Sequence, residues 1–290
     1  MVTALSDLPA HQHVLLEEWL PGAKVVADHT WVGLQLRHVL EVEHDGLRYV
    51  VKAGGPDDGH MAREIRAHRE WLAPWTSRGR APAALHADVG ARLLVTRHLP
   101  GGLVEGTPYA ESADTFRQAG VLALLHAQPG VIDDDYERRE TAKSLTWLGK
   151  PHRIAPDVEQ RLRDLVTSWN TTTPTTLVPT HGDWQPRNWL IHDGTLSVID
   201  FGRADLRPAA TDFVRLAVQD FRRDPSLEAA FLEGYGSDPR SPSPDAWLRM
   251  RVREAIGTAV WAHQVGDEGF EQQGHRMIAE ALADLGHRFG

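Results

Sequence analysis

One polar segment in the second half of the sequence constrains the fold more than any other feature. It contains His-Gly-Asp at 181–183, then Asn188, and then Asp-Phe-Gly at 200–202. Two short apolar runs separated by an Asp-Gly pair, which is typical of tight hairpin turns, lie between the amide and the second acidic motif. This pattern predicts a β-hairpin over 189–199 that brings Asp200 back beside Asn188.

The carboxylates and the amide of this segment suit phosphoryl transfer. Moving a γ-phosphoryl group requires Mg²⁺ held against the phosphates and an acceptor hydroxyl held in line. Mg²⁺ prefers oxygen ligands and usually takes only one or two carboxylates from a protein. Asn188 and Asp200 supply such a set. Asp183 lies on the loop before Asn188 and can point at the acceptor.

The first hundred residues predict a small sheet that carries one helix. Apolar alternation and turn residues predict a short helix at 14–20, strands at 34–42, 47–52, 85–89 and 92–96, and a helix at 60–75. Lys52 ends the second strand, and Glu64 lies on the helix that follows. Lysine is scarce in this arginine-rich chain, so a lysine inside a strand is notable.

A Leu-Pro-Gly-Gly sequence at 99–102 interrupts this pattern and predicts a boundary between two lobes. Beyond it, helical spacing of apolar residues predicts helices at 113–126, 158–169, 212–221, 227–235, 246–261 and 274–285. We therefore expect an α+β chain with a small N-terminal lobe over 1–98 and a larger, mainly helical lobe over 99–290.

The order of these parts resembles the aminoglycoside phosphotransferase and choline kinase family, relatives of the protein kinases. The resemblance extends from Val50 to Asp212, and it implies a two-lobed protein-kinase-like fold that binds ATP or GTP together with Mg²⁺. By this resemblance, Asp183 is the catalytic base and Asn188 and Asp200 are the metal ligands. Lys52 is the phosphate-binding lysine of the third strand, and Glu64 is its partner.

The same resemblance assigns two further features. The strand before the Leu-Pro-Gly sequence becomes the hinge whose backbone holds the base of the nucleotide, and its residues are Thr96, Arg97, His98 and Leu99. Asp212 resembles the buried structural aspartate that follows the metal loop in this family.

Two departures from protein kinases favour a small acceptor molecule. The segment 28–35, where protein kinases have a glycine-rich loop over the phosphates, offers only Thr30 and Gly33. No Ala-Pro-Glu motif follows Asp200. A protein substrate is therefore not expected.

Each assignment competes with a simpler interpretation. Lys52 fits a solvated strand edge, and Glu64 fits an ion-paired helix surface shared with Arg63 and Arg66. His181 fits a residue that secures the loop by hydrogen bonds better than one that transfers protons. The combination at family spacing favours the functional interpretation.

Composition limits the partners and the location. The net charge of −9 argues against a protein that grips nucleic acid. The longest apolar runs are far shorter than the roughly 18 residues of a membrane span. There is no cysteine, and no secretory signal is visible at the N-terminus, so we expect a cytoplasmic enzyme.

The acceptor class remains open at this stage. The acidic run Asp133, Asp134, Asp135 and Glu137 is either a patch for ammonium groups or a solvated surface. A cationic, aminoglycoside-like antibiotic is the leading acceptor and a metabolic alcohol, such as an amino alcohol or a sugar, is the second. A catalytically silent nucleotide-binding module is the alternative from a different class. The sequence fits either a monomer or a dimer.

Overall fold

The computed structural model describes residues 4–30 and 37–289, with side chains up to residue 285. The chain divides into two compact units. The first consists of Met1–Gln128, Pro179–Asp205 and Ser226–Gly236, and the second of Pro129–Val178, Leu206–Pro225 and Ser237–Gly290. The predicted division at residues 98 and 99 into a nucleotide lobe and an acceptor lobe stays a prediction.

The secondary structure is mixed. The strands are β1 (Lys24–Asp28), β2 (Arg37–His44), β3 (Leu47–Gly54), β4 (Ala84–Asp88), β5 (Leu93–Arg97), β6 (Gly102–Leu103), β7 (Val131–Asp133), β8 (Thr175–Thr180), β9 (Trp189–His192), β10 (Thr195–Val198) and β11 (Asp205–Arg207). The helices are α1 (Ala10–Trp19), α2 (Met61–Glu70), α3 (Ala73–Thr76), α4 (Ala113–Ala119), α5 (Ala123–His126), α6 (Tyr136–Leu148), α7 (Pro156–Ser168), α8 (Phe213–Val218), α9 (Asp220–Arg223), α10 (Pro225–Tyr235), α11 (Pro244–Val265) and α12 (Glu268–Phe289). Short 3₁₀ turns occur at Leu5–Asp7, Pro108–Glu111, Gly120–Leu122, Pro186–Asn188 and Ala209–Asp212.

The first unit contains a five-stranded antiparallel sheet in the order β1-β2-β3-β5-β4. The β2–β3 hairpin turns through Asp45 and Gly46, which have φ angles of 51° and 72°. Two consecutive positive φ values define the type I′ turn, whose twist matches that of the strands. Alternation along β2 and β3 then buries one face, including Leu40 and Val51, against α1.

The opposite face of this sheet carries Lys52 and packs against α2, which bears Glu64. Lys52 lies opposite Val39 of β2 and opposite Leu94 of β5. Leu94 packs with Met61 and Ile65 of α2. The helix that bears Glu64 is thereby held against the face of the sheet that bears Lys52.

A second sheet of the first unit has the order β10-β9-β6. β9 and β10 form the hairpin that the Asp-Gly pair predicts. Gly101 precedes β6 with a φ of 124°, and a Cβ atom there would lie 2.7 Å from the carbonyl oxygen of Ile191. Only glycine fits this close approach of the Leu-Pro-Gly-Gly segment to β9.

The second unit is mainly helical. Its core contains buried residues of α6, α7, α11 and α12, among them Leu148, Leu162, Ile256 and Ile278. β7 pairs with β8 in an antiparallel manner. Within the described residues, no helix is both long enough and apolar enough to cross a membrane.

The predicted α+β class is confirmed, with the sheet in the N-terminal part and mainly helices after it. The predicted helix at 60–75 is divided into α2 and α3 because Pro74 cannot continue the hydrogen-bond ladder of α2. The predicted helix at 212–221 is interrupted at Gln219, whose backbone is not helical. Gly33 of the predicted phosphate-covering segment lies outside the described residues.

Candidate active site

The loop after β8 holds Asp183 in a fixed orientation. Its carboxylate accepts hydrogen bonds from Gln185 Nε2 at 2.6 Å, from Arg187 Nη2 at 2.8 Å and from Asn188 Nδ2 at 3.1 Å. Asp183 is buried, whereas Arg187 is partly exposed. A buried carboxylate bound by several donors can accept a proton or a hydroxyl hydrogen bond in one defined direction.

His181 ties this loop to the segment before Asp200. The backbone N–H of Asp183 donates to His181 Nδ1 at 3.3 Å, so Nε2 carries the ring proton and donates to the carbonyl oxygen of Ile199 at 3.1 Å. The imidazole is fully buried and packs edge-to-face against Trp184 and Phe201. Both ring nitrogens are thus engaged in holding the loop, which agrees with the predicted supporting role of His181.

Asp200 follows β10 in a strained backbone conformation. Its φ angle is 63°, in the left-handed region that non-glycine residues rarely occupy. The backbone N–H of the preceding Ile199 donates to the carbonyl oxygen of Asn188 at 3.0 Å. This bond and the left-handed turn leave the Asp200 side chain 45% exposed.

Lys52 and Glu64 form an ion pair inside the first unit. Lys52 Nζ lies 2.5 Å from Glu64 Oε1, and the two side chains are only 12% and 1% exposed. Lys52 Nζ also lies 3.6 Å from Asp200 Oδ1. The ammonium group is therefore held between a buried carboxylate and an accessible one.

The electrostatics of this group keep both side chains charged at neutral pH. Burial disfavours the ammonium form of Lys52, but the negative charges of Glu64 and Asp200 outweigh it and raise the pKa above its ordinary value of 10.5. Partial burial likewise disfavours the ionised form of Asp200. The positive charges of Lys52 and Arg37 outweigh that effect and lower the pKa of this carboxyl below 3.8.

Asn188 and Asp200 have the chemistry of Mg²⁺ ligands. The amide nitrogen of Asn188 donates to the backbone carbonyl of Asp183 at 2.7 Å and to its carboxylate at 3.1 Å. These bonds turn the amide oxygen, the atom that a hard cation prefers, away from Asp183. One amide oxygen and one accessible, ionised carboxylate fit a small oxygen-preferring cation.

The predicted hinge offers a specific backbone donor. The N–H of Arg97 donates to Ala83 at 2.9 Å, and the N–H of His98 donates to Arg48 at 3.1 Å. Among the described residues, Leu99 N–H has no hydrogen-bond partner. Thr96 is buried and lies opposite Val50, on the face of the sheet that bears Lys52. The N–H of Leu99 is therefore available to bond to a ligand, and the role of Leu99 in holding a nucleotide base stays a prediction.

Four charged or amide residues around these groups were not predicted: Arg37, Asp58, Gln185 and Arg187. Asp58 had a readable signal, because aspartate just before a helix commonly accepts bonds from its first N–H groups. Its Oδ1 atom accepts from the N–H of His60 at 2.6 Å and from that of Met61 at 3.1 Å. Arg37 had no signal in the sequence, since its partners lie on other elements.

The chain belongs to the phosphotransferase enzyme family, because the model of that family matches residues 35–252. This family comprises small-molecule phosphotransferases, as the resemblance of the sequence implied. At the sequence level, no curated protein matches the chain.

Solved structures share the fold over nearly the whole chain. The choline kinase LicA from Streptococcus pneumoniae is 15% identical with a TM-score of 0.68, covering 95% of this chain and 100% of that one. Aminoglycoside phosphotransferase APH(4)-Ia is 13% identical with a TM-score of 0.71, covering 93% and 96%. A macrolide 2'-phosphotransferase type I is 21% identical with a TM-score of 0.61, covering 96% and 98%. The chain therefore has the protein-kinase-like fold of these enzymes.

Proposed function

We propose that this protein is a kinase that transfers the γ-phosphoryl group of ATP or GTP to a hydroxyl of a small molecule. The observation that carries the proposal is the position of Asp200, whose carboxylate lies 3.6 Å from the ammonium of Lys52 while Glu64 holds that ammonium from the other side. A fixed cation beside an accessible carboxylate suits a nucleotide whose phosphates are bound together with a metal ion.

The residues of the two loops then have distinct tasks. Asp183 accepts a hydrogen bond from the acceptor hydroxyl and orients its oxygen towards the γ-phosphorus. As the new oxygen–phosphorus bond forms and the bond to the β–γ bridging oxygen breaks, the hydroxyl proton passes to the Asp183 carboxylate. Lys52 stabilises negative charge on the phosphates, and the nucleoside diphosphate, which keeps the bridging oxygen, is the leaving group.

Asn188 and Asp200 would hold Mg²⁺ through the amide oxygen and the carboxylate. When bound, the ion would neutralise phosphate charge and fix the orientation of the phosphate chain. Leu99 N–H would bond to the base, and Thr96 would lie against it. Structures of the related folds support a nucleotide, since they include APH(4)-Ia with ADP and with AMP-PNP and LicA with AMP.

A cationic, aminoglycoside-like molecule is the leading acceptor. The fold neighbours include a choline kinase, an aminoglycoside phosphotransferase in complex with hygromycin B and a gentamicin complex. The net charge of −9 favours the capture of cations. Amino alcohols and sugars remain the second class.

The acidic residues of the second unit contribute less to this preference than their number suggests. Asp133 pairs with Arg139 at 2.7 Å and Asp135 pairs with Arg138 at 2.8 Å. Glu137 is buried between two arginines, Arg253 at 2.9 Å and Arg249 at 3.4 Å. The positive charges of these arginines cancel much of the negative electrostatic field expected from the acidic run. Selection of the acceptor would therefore depend mainly on direct contacts between the acceptor and the protein.

The test is a transfer assay with the purified chain. Mg-ATP and Mg-GTP are each incubated with hygromycin B, gentamicin, a macrolide, choline, other amino alcohols and neutral sugars, and the products are examined by mass spectrometry for one added phosphoryl group. Asp183→Asn is the control. Transfer by the parent and its loss in the variant support the proposal. Nucleotide binding without transfer to any acceptor would favour the catalytically silent module.

A further inference from the structure

The charged group around Lys52 contains a second cation. Arg37 begins β2 at the register position opposite Gly54, two residues from Val39, which lies opposite Lys52. Because side chains alternate along a strand, Arg37 lies on the same face of the sheet as Lys52. Its side chain is 18% exposed.

Two buried carboxylates fix the guanidinium group. Arg37 Nε donates to Asp58 Oδ2 at 3.0 Å, and Nη1 donates to Glu64 Oε2 at 3.4 Å. Glu64 therefore gives one oxygen to Arg37 and the other to Lys52. Asp58 also accepts hydrogen bonds from the backbone N–H groups of His60 and Met61 at the start of α2. Arg37, α2 and Glu64 are therefore held in fixed positions relative to one another.

Arg37 keeps donors for a further anion. Its Nη1 atom lies 3.6 Å from Asp200 Oδ1, the same distance that separates Lys52 Nζ from that oxygen. Within the described part of the chain, Nη2 makes no hydrogen bond. The segment after Asp200 also stays close, because a Cβ atom on Gly202 would lie 3.2 Å from Nη1. A guanidinium held by two of its nitrogens offers the third to a ligand in a fixed direction.

We propose that Arg37 is a second phosphate-binding cation that contacts the nucleotide phosphates beside Lys52. This proposal rests on the proposed nucleotide site. Two carboxylates, those of Glu64 and Asp200, lie beside Lys52, and a third, that of Asp58, lies beside Arg37. Without Arg37, a polyphosphate brought to this group would meet three carboxylates and the single positive charge of Lys52. Arg37 offsets one of these carboxylates and provides N–H donors in the fork that matches phosphate oxygens.

The alternative is that Arg37 only compensates the buried charge of Asp58. The two roles differ in their dependence on phosphate, so binding is measured by calorimetric competition for ATP and for adenosine, which has the same base and sugar without phosphate. The measurements are made in EDTA, so that a cation held by Asp200 does not contribute. The variants are Arg37→Met, Arg37→Lys, Lys52→Met as the reference and Arg117→Met as the control. Arg117 also makes ion pairs in the first unit, at 3.4 Å with Asp114 and 3.0 Å with Glu233.

Arg37→Met should weaken ATP binding by about 10- to 100-fold, the loss typical of a hydrogen bond between charged groups. Its adenosine affinity should stay within about twofold of the parent. Arg37→Lys should recover part of the ATP affinity, because lysine restores the positive charge but not the paired N–H donors of the guanidinium group. Arg117→Met should bind both ligands like the parent. Equal losses for ATP and adenosine in Arg37→Met, or an unchanged ATP affinity, would overturn the proposal.

Failure of the nucleotide site itself gives a different result. In that case Lys52→Met would bind ATP as tightly as the parent, or the parent would not bind ATP. If Arg37→Met does not fold, Arg37→Met with Asp58→Asn removes both charges of the pair, and the asparagine oxygen can still accept the first N–H groups of α2. The same selective loss of ATP affinity is expected of this double variant, and an equal loss of both ligands would count against the proposal.

Discussion

Replacing Asp183 by asparagine separates the chemistry of this residue from its structural role. The aspartate accepts bonds from Gln185, Arg187 and Asn188. An asparagine can keep its oxygen towards Arg187 and Asn188 while its NH₂ group faces Gln185. The Gln185 amide can turn by half a revolution and present its own oxygen, so the network closes again without an unsatisfied buried group.

The stability cost of Asp183→Asn should therefore be small. The main loss is the charge of the pair with Arg187, which is 30% exposed. An exposed or partly exposed pair contributes up to about 1 kcal/mol, and for a chain of this size that lowers Tm by about 2–4 °C. Asp183→Ala removes an acceptor from the buried Gln185 and Asn188 amides and from the partly exposed Arg187. At about 1–3 kcal/mol for each of the two buried amides, this variant should cost at least about 2 kcal/mol.

The catalytic cost should be much larger. Loss of a positioned base lowers kcat by about 10²–10⁴, which corresponds to about 2.7–5.5 kcal/mol in the activation free energy. The assay couples ADP release to NADH oxidation at saturating nucleotide and acceptor, while calorimetry gives the nucleotide Kd and a thermal melt gives Tm. We expect a folded Asp183→Asn variant with nearly normal nucleotide affinity. A kcat within threefold of the parent would refute the role of Asp183 as base.

Three further outcomes are expected. Asp200→Ala should abolish Mg²⁺-dependent nucleotide binding and turnover together, and calorimetry that found parent-like affinity for Mg-ATP would exclude Asp200 as a ligand. Burial lowers the pKa of His68 from 6.5 to about 4, so the folded state binds fewer protons than the unfolded one and stability falls as the pH drops from 6.5 through 4. His68→Leu should remove this loss, and urea unfolding at pH 5 should show a gain of about 2 kcal/mol relative to the gain at pH 8; equal gains at the two pH values would contradict it. The KM of a cationic acceptor should rise only about two- to threefold from low to high salt, because the acidic run is ion-paired. A far steeper rise would show that the arginine partners do not neutralise these acidic residues.

The sequence predicted the elements whose interactions are local. The hairpin of β9 and β10 depends on an Asp-Gly turn and on two short apolar strands, so the approach of Asp200 to Asn188 follows from consecutive residues. The loop before it contains Asp183 and its donors within a few positions. Some helix boundaries differ from the prediction, such as the end of α2 before Pro74. Such a boundary depends on the residue at which the backbone hydrogen bonds of the helix stop, and the spacing of apolar residues does not identify that residue.

By itself, the sequence determined the fold class and the order of the functional groups, because hydrophobic periodicity and turn residues act over short distances along the chain. Only the tertiary structure decided which charges meet. Arg37 pairs with Glu64 and Asp200 from a different strand. Glu137 is paired with two arginines of α11 and is therefore not available to bind a cationic acceptor. The energy of an ion pair depends on separation in space and on burial, and neither can be obtained from positions in the sequence.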